Sequence, residues 1–395
     1  MTAGSRPRWA VVCLLGVTQI LAWGSSYYLL AVLAEPIRKA TGWPAGWVMG
    51  GLSLGLLVSG VVSPRVGRTV DRVGGRPVLA ASAVLMGLGL LGLALAPGPE
   101  LYAAAWAVLG LGMGAGLYDP AFATLGRLYG EEARSAITGV TLFGGFASTV
   151  CWPLSALLLD RVGWRGACFG YAAIQLGLAL PLYLFGLPRE PPLGAQVPAV
   201  GEPGPPGPGP VVFWRVAIAL TLAAMVMTVV SVELLAVLQA RGFSLAAAVG
   251  VGALLGPSQV GARLVEFAVG RRSHPVWIML AALILVAVGL AMLLLGPGLV
   301  VAGIVLYGAG GGIRSIARGT LPLALYGRAG YGALLGRLAL PALLAQAASP
   351  TIGALLLGAF GPTGTLLTLL AAALLNVVPV LLLIPYARSP GALSA

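Results

Sequence analysis

Arg314 and Arg318 stand four residues apart inside a long apolar stretch, so on a helix they share one face. A guanidinium offers a planar fork of donors that matches a carboxylate with two parallel hydrogen bonds. That chemistry makes Arg314, with Arg318 beside it, a candidate to bind an anionic substrate or open its inner path. The alternative is that both side chains snorkel to the inner headgroups. A second stretch carries Gln259, Arg263 and Glu266. Arg263 and Glu266 are three apart and can pair, so Arg263 is either a substrate contact or half of a structural ion pair. Glu233 is the one carboxylate of its own stretch. Desolvation favours the neutral carboxyl, the condition for carrying a proton at neutral pH. Glu233 is therefore a proton-coupling candidate, against the alternative of an outer-interface carboxylate that never titrates. Asp119, followed by Pro120, is the second such candidate or a helix-end contact. Gln19, Ser25, Ser26, Tyr27 and Tyr28 surround Gly24, which would allow local bending. Gln19 and Tyr28 can hydrogen-bond a small polar ligand, while Tyr27 equally suits an outer aromatic belt.

Enzyme chemistry finds no support in these residues. The single histidine, His274, falls in a loop, no metal ligands cluster, and no nucleophile elbow or phosphate loop is present. The run from Gly110 to Gly116 superficially resembles a nucleotide-binding loop, but no strand precedes it and it lies within an apolar stretch. No cofactor is expected. Cys13, Cys151 and Cys168 all fall in apolar stretches with no paired spacing, so they read as buried thiols.

What must position these side chains is a membrane architecture. The 395-residue chain is 59% hydrophobic and only 9% charged, and a crossing helix needs roughly 20 apolar residues. Twelve such stretches are legible: 9–33, 45–66, 77–97, 101–123, 136–159, 166–187, 213–238, 244–268, 275–296, 298–320, 331–359 and 361–386. They are too long and too uniformly apolar for the strands of an outer-membrane barrel. The fold expected is an all-α membrane protein of twelve transmembrane helices. The first stretch is too long for a signal core and is expected to stay in place.

The second half repeats the first. Trp9 and the run Leu29 to Leu33 recur 205 positions later as Trp214 and Leu234 to Leu238. Gly112, Gly114, Gly116 and Thr124 align 196 positions on with Gly308, Gly310, Gly312 and Thr320, and Gly139 and Pro153 align 197 on with Gly336 and Pro350. A duplicated polytopic chain is the expected layout of a secondary transporter, with its site between two pseudo-symmetric six-helix bundles. Pro188 to Pro210 holds nine prolines and reads as an extended cytoplasmic linker. The domains are then 1–187, the linker 188–210, and 211–395. Glycines at small-xxx-small spacing, such as Gly51/Gly55 and Gly308/Gly312, suit close helix packing in lipid.

The net charge of +12 is placed by topology. With the N-terminus cytoplasmic, 14 arginines fall in inner ends and loops, against five outer basic residues: Arg38, Lys39, Arg161, Arg165 and Arg241. That asymmetry puts both termini in the cytoplasm. No basic stretch has the interleaved aromatics of a nucleic-acid surface, so lipid and small solutes are the expected partners, with the chain as a monomer. One lysine against 22 arginines suggests a GC-rich bacterial genome, hence a bacterial inner membrane.

The loop after the second stretch reads Gly67-Arg68-Thr69-Val70-Asp71-Arg72-Val73-Gly74-Gly75-Arg76. It resembles the major facilitator superfamily signature G-x-x-x-D-[RK]-x-G-[RK]-[RK]. Gly67 would permit close helix packing, Asp71 would cap or pair with a neighbouring helix end, and Arg72 and Arg76 would face the anionic leaflet. Gly74 fills the motif's eighth position, while the ninth, usually basic, is Gly75. The second half keeps only Gly270-Arg271-Arg272. The resemblance implies a cavity lined mainly by helices one, four, seven and ten, worked by alternating access. Thr149 to Leu154, with Pro153, and then Gly163-Trp164-Arg165 are similar to the monocarboxylate and oxalate/formate branch. Its usual acid-then-arginine pair on helix eight is reversed here. The G-P-x-x-G-G motif of proton-coupled drug antiporters is missing, Gly144-Gly145 lacking its proline. The reading is a secondary transporter of a small organic anion coupled to protons or to an exchanged anion. Rivals are proton-coupled efflux of drugs or toxic solutes, metalloid efflux through the cysteines, and a non-transporting membrane sensor.

Overall fold

A chain at membrane depth has no water to bond its backbone, and the helix satisfies those groups locally. The computed structural model describes residues 6–189, 208–269 and 273–387. Among them are ten helical runs long and apolar enough to cross a membrane, and no strand. Two of the runs are double. Ala133–Gly186 breaks at Gly163 (φ 70°, ψ 177°) and Tyr331–Leu381 breaks at Gly361 (φ 64°, ψ −175°). Both glycines occupy the left-handed region that a Cβ disfavours. Each of these runs is therefore two helices joined directly, which accounts for all twelve apolar stretches. The proline-rich segment, apart from its ends, and Gly270-Arg271-Arg272 lie outside the described residues.

The chain divides into two compact units. The first holds α1 (Arg8–Gly24), α2 (Leu29–Thr41), α3 (Ala45–Val73), α4 (Gly75–Leu95), α5 (Pro99–Gly116), α6 (Tyr118–Tyr129), α7 (Ala133–Gly144) and α8 (Ala147–Ile174), together with residues 328–347. The second holds α9 (Pro210–Ala240), α10 (Leu245–Gly252), α11 (Leu255–Val269), α12 (Pro275–Leu295), α13 (Val300–Tyr326), the part of α14 (Tyr331–Leu375) from residue 348 onward, α15 (Val377–Leu381) and α16 (Ile384–Ala387). Residues 328–347 come from the second sequence half yet pack in the first unit. The eighth apolar stretch is split at Ala253-Leu254 into α10 and α11, and the tenth runs on to Tyr326.

Glycines set the helix spacing inside each unit, and they reveal a repeat register that differs from the sequence alignment. In the first unit Gly110 and Gly114 press on Gly55 and Ser59 of α3, while Gly112 presses on Ser82 and Met86 of α4. In the second unit Gly308 and Gly312 press on Leu255 and Gln259 of α11, while Gly310 presses on Ala282 and Val286 of α12. The matching partners pair Gly110, Gly112 and Gly114 with Gly308, Gly310 and Gly312, two residues away from the alignment by identity. A Cβ at Gly310 would lie 2.5 Å from the Ala282 carbonyl oxygen and 2.9 Å from the Val286 nitrogen, both backbone atoms that cannot yield. Gly310→Val is expected to destabilise the fold by about 1–3 kcal/mol. Thermal unfolding in detergent measures this, with Gly256→Val as the control because nothing lies within 4 Å of its Cβ position.

Candidate substrate sites and the inner-loop clamp

Three helical runs of the first unit are interrupted close together. Pro120 has no N–H to give the Gly116 carbonyl four residues back, and its ring crowds that carbonyl. Leu117 leaves helical geometry (φ −77°, ψ −162°), so α5 stops and α6 begins. The Gly116 carbonyl accepts instead from Gln19 Nε2 on α1, at 2.7 Å. This contact orients the amide, because only its nitrogen can donate to a carbonyl. Gln19 Oε1 then points elsewhere, buried and with no partner among the described residues.

The run of α1 and α2 opens at Ser25 to Tyr28. The Ser26 hydroxyl donates to the Ala22 carbonyl at 2.6 Å, and the Tyr28 amide reaches five residues back to the Trp23 carbonyl at 3.0 Å. Side-chain bonds of this kind compete with the helical ladder. The buried Gln175 amide donates to Ser25 Oγ at 2.8 Å and ties the opened turn to the sixth apolar stretch. The third interruption separates α7 from α8 at Gly145 and Phe146. A Cβ at the adjoining Gly144 would collide with the Tyr118 hydroxyl.

Aromatic rings cluster beside these breaks. Trp23 lies 5.1 Å from Tyr118 and 5.4 Å from Tyr27, and Tyr28 lies 5.3 Å from Tyr27 and 6.3 Å from Trp152. Tyr118 stacks on Phe122 with centroids 5.1 Å apart. Trp23 Nε1, one turn beyond Gln19 on α1, is also buried without a partner among the described residues. Gln19 and Tyr28 thus belong to one cluster. Trp23 and Tyr118 were not among the residues that sequence reasoning singled out, although Pro120 signalled the break that places Tyr118.

In the second unit α9, α11 and α13 converge on Gly312. Its carbonyl accepts from Arg263 Nε at 3.2 Å and from Ser315 Oγ at 2.7 Å. Arg263 is 4% exposed and Glu266 7%, whereas Arg314 and Arg318 are half-buried on α13. A Cβ at Gly311 would collide with Met227 of α9 and sit 4.0 Å from Gln259 Nε2. Arg263, Gln259 and the segment from Gly311 to Ser315 therefore meet at one place, where an arginine already holds a main-chain acceptor. Higher on α9, Glu233 is 9% exposed and faces Gly353 of α14, whose Cβ would fall 2.8 Å from Glu233 Cγ. Among the described residues Glu233 has no hydrogen bond or ion pair.

The signature loop forms a clamp. The Asp71 carboxylate accepts the Gly332 amide at 3.0 Å and the Ala333 amide at 2.7 Å, capping the N-terminus of α14. Arg127 of α6 donates to the Asp71 carbonyl. A Cβ at Gly67 would collide with the Gly332 carbonyl, so the two backbones meet with no side chain between them. Gly74 ends α3 with φ 88°, Arg72 is exposed and Arg76 half-buried. Gly75, where the family signature has a basic residue, packs against Thr124 so closely that a Cβ would overlap it. Asp119, in the first turn of α6, is half-buried and lies within electrostatic reach of Tyr331. Asp71→Asn removes a charged cap from two orphan amides and is expected to cost about 1–2 kcal/mol, read as a lower unfolding midpoint.

The fold and motif agree with the comparisons. The Major Facilitator Superfamily model matches residues 14–273. An uncharacterized 38 kDa protein in the 23S RNA operon of Thermoproteus tenax is 35% identical over 166 residues, covering 42% of this chain and 43% of that protein. Human monocarboxylate transporter 11 is 38% identical over 153 residues, covering 35% of this chain and 31% of the transporter. The chain thus spans less than half the length of these curated relatives. The solved proton:xylose symporter XylE superposes with a TM-score of 0.76 at 13% identity, covering 98% of this chain and 97% of that one, a likeness of fold. With the family model matched over well more than half its length, this chain belongs to the Major Facilitator Superfamily.

Proposed function

We propose that the chain is a secondary active transporter of a small organic anion, a monocarboxylate being the first class to test. It moves that anion across a bacterial inner membrane by alternating access of its two sequence halves, 1–187 and 211–395, with both termini cytoplasmic. The observation that carries this reading is the arginine-rich junction of α9, α11 and α13. There Arg263 reaches the Gly312 carbonyl, and Arg314 and Arg318 follow on α13. The guanidinium fork matches a carboxylate with two parallel charge-assisted hydrogen bonds. Similarity to monocarboxylate transporters points the same way. Glu233, with no ion pair among the described residues, is the proton carrier in this reading, and Asp119 is the second candidate. Arg263 and Glu266 also suit mutual pairing, in which case Arg314 takes the anion.

Purified protein in liposomes, loaded or unloaded with lactate, tests the proposal. Radiolabelled lactate or pyruvate should accumulate when an inward proton gradient is imposed, or exchange with internal anion. Failure of a panel of monocarboxylates, together with gradient-driven export of a cationic dye, would instead support proton-coupled efflux of toxic solutes.

A further inference from the structure

We propose that the interrupted region of the first unit is a binding subsite for an aromatic ring carried by the substrate, walled by Trp23, Tyr27, Tyr28 and Tyr118. The inference rests on the transporter reading above and narrows its substrate class. Four observations support it. First, helices at membrane depth tolerate broken backbone where it is buried in protein or lines a cavity, and transporter sites are built from such discontinuous helices. Here three runs break around one residue, Tyr118.

Second, the rings are not an interfacial girdle, which would sit at the helix ends. Trp23 lies near the middle of the 34-residue run Arg8–Thr41, and Tyr118 lies a little past the middle of the 31-residue run Pro99–Tyr129. Third, Gln19 Oε1 and Trp23 Nε1, an acceptor and a donor one turn apart, are buried with no partner among the described residues. A folded core seldom leaves such groups unmet, and a ligand is one way to meet them. Fourth, Gln19, Trp23, Tyr27, Tyr28 and Tyr118 carry no positive charge, so these five do not themselves suit the carboxylate of an anion. They suit the body. Edge-to-face and offset ring contacts favour a flat aromatic body over a saturated one of similar size.

The test measures binding to the purified full-length chain in detergent, by calorimetry, with benzoate, cyclohexanecarboxylate and benzamide. Benzoate and cyclohexanecarboxylate share a charge and differ in aromaticity, while benzamide keeps the ring without the charge. Benzoate should bind about tenfold more tightly than cyclohexanecarboxylate. Trp23→Leu should bring that ratio close to one, and Trp23→Phe should keep most of it. Should Trp23→Leu not fold, the wild-type ratio and the Trp23→Phe value decide the matter alone. Equal affinity for the two acids overturns the ring subsite and leaves organic-anion transport standing. Equal, ring-dependent binding of benzoate and benzamide supports the subsite and overturns the anion reading. Binding of none of the three overturns the subsite.

Discussion

Transport of a monocarboxylate by Arg314→Gln should fall roughly 100-fold in the initial rate of counterflow, with insertion and unfolding midpoint unchanged. A bidentate, charge-assisted pair contributes about 3 kcal/mol, which corresponds to a loss of that size. Arg314 is the residue to change because Arg263 also ties α11 to α13. Its Nε donates to the Gly312 carbonyl, and it is nearly fully buried beside Glu266. Removing Arg263 would therefore confound lost binding with the loss of a tie between α11 and α13. Arg318, one turn farther along α13, is the companion variant: Arg318→Gln should cost less than tenfold if its side chain snorkels to headgroups, and more if it shares the anion. An Arg314→Gln protein that transports at the wild-type rate would remove the anion site from α13.

The second large effect concerns Glu233. In liposomes with a pH difference of one unit, a one-to-one proton-coupled carrier accumulates its substrate about tenfold, because each unit corresponds to 1.36 kcal/mol. Glu233→Gln keeps shape and burial while removing the exchangeable proton, so the gradient-driven accumulation should vanish and anion-for-anion exchange should persist. The reason lies in its surroundings. Glu233 is 9% exposed on α9 and set against Gly353, with no ion pair or hydrogen bond among the described residues. Full accumulation by the variant would shift the proton to another group, and Asp119 would be the next to replace.

Some of these pairings are hidden in the sequence for identifiable physical reasons. The two-residue slip in the repeat is one. Gly110, Gly112, Gly114 and Gly116 form a pattern that maps onto itself when shifted by two, so the glycines fit either register and the lone Thr124–Thr320 identity tips the alignment to the wrong one. The helices against which each glycine packs do choose. Pro120 carries a signal for an interrupted helix that apolar length alone reads as continuous, because its missing N–H frees the Gly116 carbonyl. Nothing local announced that Gln19, 97 residues earlier, would supply the donor. Tyr28 was placed among the polar residues of the first stretch. That Trp23 and Tyr118 would join it through ring contacts depended on where the fourth stretch breaks.

Apolar length and the loop from Gly67 to Arg76 determined the membrane fold and the family, because burial in hydrocarbon leaves a helix as the local solution at every stretch. Composition likewise confined the charged groups to a handful of positions worth arguing about. Only the tertiary structure decided which of these groups meet. Asp71 reaches amides 261 and 262 residues away, and residues 328–347 pack with the first unit despite their place in the second sequence half. Such pairings follow from backbone approach at Gly67 and Gly332 and from the burial of polar atoms. Those are properties of two surfaces together, which a single stretch of sequence does not carry.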